Sequence, residues 1–316
     1  MAAQNMPAAE VEITADLVRA LLAEQFAHLA DRPLTRCANG WDNTIFRLGD
    51  DLLVRMPRRA ISAGLVEHEQ RWLPELASRL PIPICAPVYS GRPGCGYPWS
   101  WSVCPWFDGD VAADVALADP IREAERLGAF VAALHQPAPA DAPYNEFRRG
   151  QPIAEFIPRI EANLAALEGA PTPESAGDPG RPGSPSARPG LAAVRPRLAE
   201  LAGVAEWDGP ALWLHGDLHS ANIIVADGSV AAVIDFGDLT SGDPAVDFAV
   251  AWMLFDGPDR AVFRAAAGGR AGPIDDATWQ RGQLWALHFA VLYLLHSADS
   301  ERFQRMGTSL LAAVLA

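Results

Sequence analysis

The stretch LWLHGDLHSANIIVADGSVAAVIDFGD, from Leu212 to Asp238, constrains this chain more than any other. Its centre, HGDLHSAN, gathers His215, Asp217, His219, Ser220 and Asn222 within eight residues of an otherwise apolar neighbourhood. Two runs rich in apolar residues follow, NIIVA and VAAVIDF, with the hairpin turn signal Asp227-Gly228 close after the first. A hairpin here doubles the chain back and returns Asp235 to the side of the polar loop. Asn222 stands five residues after Asp217, and Asp235 thirteen beyond that, followed by Phe236 and Gly237. The fold must therefore hold three oxygen-bearing side chains close together on short strands.

Three chemistries compete for such a cluster. His215 and His219 are four residues apart, but they would form a zinc pair only on a helix, and Gly216 and the strand context oppose one. Ser220 lacks the G-x-S-x-G setting of a hydrolase nucleophile. The spacing D-x-x-x-x-N…D-F-G instead fits phosphoryl transfer of the kinase type. There, one carboxylate orients a hydroxyl and accepts its proton, while a second, with an amide oxygen, holds Mg²⁺ against nucleotide phosphates. Hard oxygen ligands suit Mg²⁺. His215 reads as a brace for the loop, and His219 as a residue facing either phosphate or solvent.

The remainder of the chain sets the class. With 316 residues, half of them hydrophobic, it is long enough for one large two-lobed domain or two modest ones. A net charge of −14 argues against nucleic acid as a partner. All 25 basic residues are arginine, so a catalytic lysine is replaced here by something else. Residues 1–107 carry a net charge of −1 and residues 108–316 a net of −13. That surplus serves solubility or makes a negative cleft for a cationic ligand. Cys37, Cys85, Cys95 and Cys104 form no C-x-x-C and read as reduced cytosolic thiols. The N-terminus has no signal-peptide pattern, and LWALHFAVLYLL, from Leu284, is too short to span a bilayer. The expectation is a cytoplasmic protein with no membrane partner, monomeric or homodimeric.

Residues 1–107 read as a small α+β lobe. A helix capped by Thr14 precedes the strands LTRCA, NTIFRLGD and LLVRMP. A helix over 62–80 and two further strands, PVYSG and WSWSVCPWF, complete it. Residues 108–316 read as a mainly helical lobe, with helices expected over 120–136, 153–168, 191–202, 244–256, 276–296 and 300–314. Between them, 11 of the 22 residues of 169–190 are Gly or Pro, which predicts a mobile surface loop.

At this point the chain resembles the aminoglycoside phosphotransferase family, antibiotic kinases with a protein-kinase-like fold. HGDLHSAN…IDFGD…GDPAVDFA carries the resemblance most strongly, and NGWDNTIFRLGDDLLVRMP and VEHEQRWLPEL extend it. It implies a two-lobed α+β fold with ATP or GTP as phosphate donor and Mg²⁺ as metal. By position, it implies Asp217 as base and Asn222 and Asp235 as magnesium ligands. Arg55 stands where the family often has a phosphate-gripping lysine; it keeps the charge and adds a fork of donors. Glu69 would pair with it, with Glu67 as rival. Asn43 in the first-lobe hairpin, and Pro105 and Phe107 in a hinge running from Cys104 to Phe107, would meet the nucleotide. That hairpin has one glycine, Gly40, rather than G-x-G-x-x-G. Asp243 and Asp247 would cap a helix and tie it to the catalytic loop.

The acceptor implied is a small hydroxylated natural product, cationic if the acidic surplus lines the cleft. Choline, sugar and homoserine kinases share the catalytic loop and remain alternatives. A protein kinase is excluded by length, since only about ten residues separate Asp235 from the next helix, too few for an activation segment. A nucleotide-binding pseudokinase is opposed by the presence of all three chemical positions. Trp252, Trp285 and Phe289 read as core residues before pocket residues.

Overall fold

The computed structural model describes residues 8–144, 147–169, 190–269 and 272–316. Helix α1 (Ala15–Gln25) begins where the Leu17 N–H donates to Thr14 Oγ1 at 3.2 Å, as the sequence predicts. Strands β1 (Leu34–Asn39), β2 (Asn43–Leu48) and β3 (Leu52–Pro57) follow as an antiparallel meander. Together with β4 (Tyr89–Gly91) and β5 (Trp101–Pro105) they form one sheet of order β1-β2-β3-β5-β4. The alternation of side chains sends Phe46, Val54, Trp101 and Val103 to one core with Val18, Leu21 and Leu22 of α1. Helix α2 (Ala60–Ala77) starts two residues before the expected span and ends three short of it. Its Leu73 and Leu76 pack into a second core, shared with the helices that follow.

Those helices are α3 (Pro120–Leu134), α4 (Ile157–Gly169), α5 (Leu191–Leu201), α6 (Ala245–Phe248), α7 (Val250–Leu254), α8 (Gly257–Ala267), α9 (Asp276–His296) and α10 (Glu301–Leu315). The single helix expected over 244–256 is two short ones. Helix α8 was not expected, although Asp256 caps it by accepting from the Asp259 N–H at 3.3 Å and Pro258 stands in its first turn. Helix α9 is the centre of the second core. Trp285 and Phe289 are buried on it, and so are Trp252 of α7 and Phe156 before α4. The aromatic residues of the late helices thus serve packing, as their spacing indicates.

Two small sheets complete the large lobe. Strands β6 (Asp110–Val111), β8 (Ile223–Ala226) and β9 (Ser229–Val233) form one, in the order β6-β8-β9. Strand β7 (Leu212–Leu214) pairs with β10 (Thr240–Gly242) to form the other. Asp227 (φ 51°) and Gly228 (φ 75°) make the β8–β9 turn, both left-handed as this tight hairpin requires. A sheet-bearing small lobe and a mainly helical large one are the two-lobed α+β architecture the sequence predicts. The Gly/Pro-rich segment 169–190 lies outside the described residues except for its two ends. Among the described residues no helix is long and apolar enough to cross a membrane. Cys37, Cys85, Cys95 and Cys104 are free thiols.

Candidate active site

Strands β7 and β10 pair antiparallel, with Leu214 opposite Thr240 and Leu212 opposite Gly242. This closes residues 215–239 into one unit around the β8–β9 hairpin. Gly216 sits at the tightest point, with φ 82°, and a Cβ there would lie 2.3 Å from the Asp238 carbonyl oxygen. Only glycine fits that approach. Asp247 of α6, fully buried, accepts from the N–H groups of His215 (2.8 Å) and Gly216 (2.9 Å), and its Oδ2 lies 3.0 Å from His135 Nε2. The tie between helix and loop is therefore made by Asp247. Asp243, expected to share that role, faces elsewhere: it caps the helix at the Ala245 N–H (3.0 Å) and pairs with Arg281 of α9 at 2.8 Å.

The His215 ring lies 3.0 Å from the Ile234 carbonyl through Nε2, and its Nδ1 accepts from the Asp217 N–H at 3.3 Å. Burial lowers its pKa, so the ring is a neutral brace that joins the two ends of the site. It rests on Phe236, centroid to centroid 4.4 Å.

The three spaced residues come together as the hairpin requires. Asn222 Nδ2 donates to the Asp217 carbonyl at 3.0 Å, and the Asn222 carbonyl accepts from the Ile234 N–H, next to Asp235, at 2.9 Å. Asp235 is left-handed (φ 63°), a conformation that Asp tolerates better than most residues. With the Asn222 amide nitrogen engaged, its Oδ1 remains as a hard donor, and the Asp235 side chain is 58% exposed. This pair fits Mg²⁺, which takes few protein oxygens and keeps waters and phosphates for the rest. Among the described residues no group of three or more His, Cys, Asp or Glu gathers to hold a metal.

From the small lobe, Arg55 of β3 reaches this cluster. Its Nη1 lies 2.7 Å from Glu69 Oε1 on α2, and its Nη2 lies 3.2 Å from Asp235 Oδ1. Glu69, not Glu67, is the partner; Glu67 accepts from the Ser100 hydroxyl at 3.2 Å instead. Burial opposes the charge of Arg55, but Glu69 and Asp235 outweigh it and raise its pKa well above the ordinary value. An arginine can therefore occupy a buried strand position here. Asn43 opens β2 opposite Pro57, with its Oδ1 buried and unpartnered. In the expected hinge, Cys104 is buried in β5, Pro105 offers a carbonyl but no N–H, and the Trp106 N–H is already donated to the Asp51 carbonyl at 2.8 Å. Phe107 is partly buried.

His219 packs between Tyr293 and Phe303 rather than facing open solvent. Its Nδ1 accepts from the Ala221 N–H at 3.2 Å, which leaves Nε2 to carry a proton toward Asp217 Oδ2 at 3.4 Å. Sequence spacing gave no hint of Arg149. It reaches from the segment before α4 to within 3.7 Å of Asp217 Oδ1 and 3.9 Å of Asp238 Oδ2. Burial would raise the Asp217 pKa; His219 and Arg149 overcome it and hold the carboxyl well below the usual range. Asp217 is thus ionised near neutral pH and available as a hydrogen-bond acceptor.

Comparison with known proteins follows the same lines. The chain matches the phosphotransferase enzyme family (APH) over residues 33–285. No curated protein matches it significantly. Among solved structures it is similar to wild-type aminoglycoside 2'-phosphotransferase-IIIa in its GDP complex, with a TM-score of 0.63 and 18% identity over 94% of this chain and 97% of that one. It is also similar to the macrolide 2'-phosphotransferase MphH from Brachybacterium faecium, with a TM-score of 0.57 and 21% identity over 93% and 97%. A third is the streptomycin–ATP–APH(2")-IIa ternary complex, with a TM-score of 0.55 and 17% identity over 96% and 97%. At these identities the likeness establishes the fold, and the match over residues 33–285 establishes the family: this chain belongs to the phosphotransferase enzyme family and is an O-phosphotransferase.

Proposed function

We propose that the chain transfers the γ-phosphate of ATP or GTP to a hydroxyl of a small antibiotic-like natural product and so confers resistance in the cytoplasm. The acceptor classes are aminoglycoside, macrolide, peptide or nucleoside antibiotics. The observation that carries the reading is the meeting of Asp217, Asn222 and Asp235 in one loop system with the buried Arg55–Glu69 pair of the other lobe. Asp217 is the base: its carboxylate orients the acceptor hydroxyl and takes up the proton as the bond to phosphorus forms. Asn222 and Asp235 would hold Mg²⁺, which would supply positive charge to the nucleotide phosphates. Arg55, positioned by Glu69, grips the nucleotide phosphates. Asn43, Pro105 and Phe107 contact the nucleotide, and the lobes divide at residues 107 and 108. His215, His219 and Asp243 support the loop and its neighbouring helix.

The similarity to aminoglycoside and macrolide 2'-phosphotransferases supports an antibiotic acceptor, and the GDP complex of aminoglycoside 2'-phosphotransferase-IIIa and the ATP complex of APH(2")-IIa support a nucleotide donor. A panel of hydroxylated antibiotics incubated with γ-labelled ATP tests the reading. Label transferred to an antibiotic supports it. Label transferred instead to choline, a sugar or homoserine alone would replace it with a metabolic kinase.

Two further outcomes are expected. Asp235→Asn weakens Mg²⁺-dependent nucleotide binding, because a charged hard ligand becomes neutral. Thermal stabilisation by Mg²⁺–ATP is the readout, and stabilisation equal to wild type would remove Asp235 from the metal site. The second concerns charge. Residues 108–316 carry a net of −13, so a cationic acceptor is drawn in at long range. Asp238 lies near Arg149 and Asp235 near Arg55, so the attraction is assigned to the field of the lobe rather than to either of these carboxylates. We expect kcat/KM for an amine-bearing acceptor to fall as ionic strength rises. An uncharged best substrate, indifferent to salt, would assign the acidity to solubility.

A further inference from the structure

Arg149 is the group beside the catalytic loop that the kinase reading leaves without a task. Its guanidinium lies 4.7 Å from the Phe289 ring centroid and 5.9 Å from that of Trp285, and its side chain is 11% exposed. A flat cation seated on a ring face has a fixed plane. The backbone holds it there as well. The Gly150 carbonyl accepts from the Asp243 N–H at 2.9 Å, and a Cβ on Gly242 would lie 2.1 Å from that carbonyl oxygen. From this seat the guanidinium addresses two carboxylates, Asp217 at 3.7 Å and Asp238 at 3.9 Å. The cation lies within 4 Å of both like charges and so offsets repulsion between them. His219 flanks the other Asp217 oxygen at 3.4 Å. Both contacts are longer than a strong hydrogen bond, so the carboxylate is oriented while lone pairs stay open to an incoming hydroxyl.

We propose that Arg149 is a positioning residue for phosphoryl transfer: it holds the Asp217 carboxylate toward the acceptor hydroxyl and links it to the turn at Asp238, without binding nucleotide or acceptor. The inference rests on Asp217 being the base. Arginine suits the task because its charge is permanent and its fork serves two carboxylates at once.

The test is steady-state kinetics of Arg149→Met and Arg149→Lys, alone and in an Asp217→Asn background. Acceptors are water (Mg²⁺–ATP hydrolysis) and the antibiotic of the panel that turns over fastest. We expect Arg149→Met to lower kcat roughly 10- to 100-fold through misplacement of the base, with both KM values within about twofold of wild type. Arg149→Lys, which keeps the charge, recovers part of the loss. In the Asp217→Asn background Arg149→Met adds nothing, as expected of residues acting as one unit. An unchanged or raised kcat, a loss confined to the acceptor KM, or full additivity with Asp217→Asn overturns the inference. Should Arg149→Met fail to fold, Arg149→Lys decides alone: a kcat lowered at constant KM supports the role, and a wild-type kcat overturns it. If Asp217→Asn keeps wild-type turnover, the base reading itself is lost. If that variant is inactive while Arg149→Met is normal, only the inference falls.

Discussion

Asp217→Ala is expected to lower kcat by about 10²–10⁴-fold while Mg²⁺–ATP still binds. On the proposed reading, the variant removes the carboxylate that would orient and deprotonate the acceptor hydroxyl and leaves Asn222, Asp235, Arg55 and Glu69 in place. Its cost to folding is small. The Asp217 side chain is 30% exposed, and the polar contacts that fix the loop run through its backbone, from its N–H to His215 and from its carbonyl to Asn222. Thermal stabilisation by Mg²⁺–ATP should therefore persist while transfer of label from γ-labelled ATP disappears. A folded variant with near-normal turnover would sink the assignment of the base.

Asp247→Ala is expected to act on the fold first and on turnover through it. The carboxylate is fully buried and accepts two backbone N–H groups, from His215 and Gly216, with His135 3.0 Å away. Alanine leaves both donors without this acceptor. At about 1.5–3 kcal/mol for each hydrogen bond to a charged group, the loss is on the order of 3–6 kcal/mol. Urea unfolding reads it directly. Turnover of the variant that remains folded should also fall, because Gly216 and the Asp217 that follows lose their anchor. A stability change under about 1 kcal/mol would mean that the loop is held by its strands alone.

Much of the site was legible because its determinants are local. Asp217, Asn222 and Asp235 lie within one strand–loop–hairpin unit, and the turn chemistry of Asp227 and Gly228 sets the return of the chain. Spacing alone therefore brought them together. The amphipathic period found α1 and α3 for the same reason: a helix face is decided by neighbours three and four residues away. Helix α8 escaped, though its Asp256 cap and Pro258 were visible in the sequence. Helices α6 and α7 read as one, since a break between packed helices leaves the apolar pattern intact.

What the sequence by itself determined is the polar loop with its hairpin, the two-lobed α+β architecture and the family likeness, all carried by residues close to one another in the chain or by the order of elements. Only the tertiary structure decided the rest. It chose Glu69 over Glu67, because helix rotation against the sheet aims one of two nearby carboxylates at Arg55 and sends the other to Ser100. It gave the loop anchor to Asp247 and left Asp243 to Arg281. It carried Arg149, 68 residues before Asp217, to the side of that carboxylate. Contacts of that separation are set by how packed faces meet in space, and a periodic pattern records which face is buried but not what it meets.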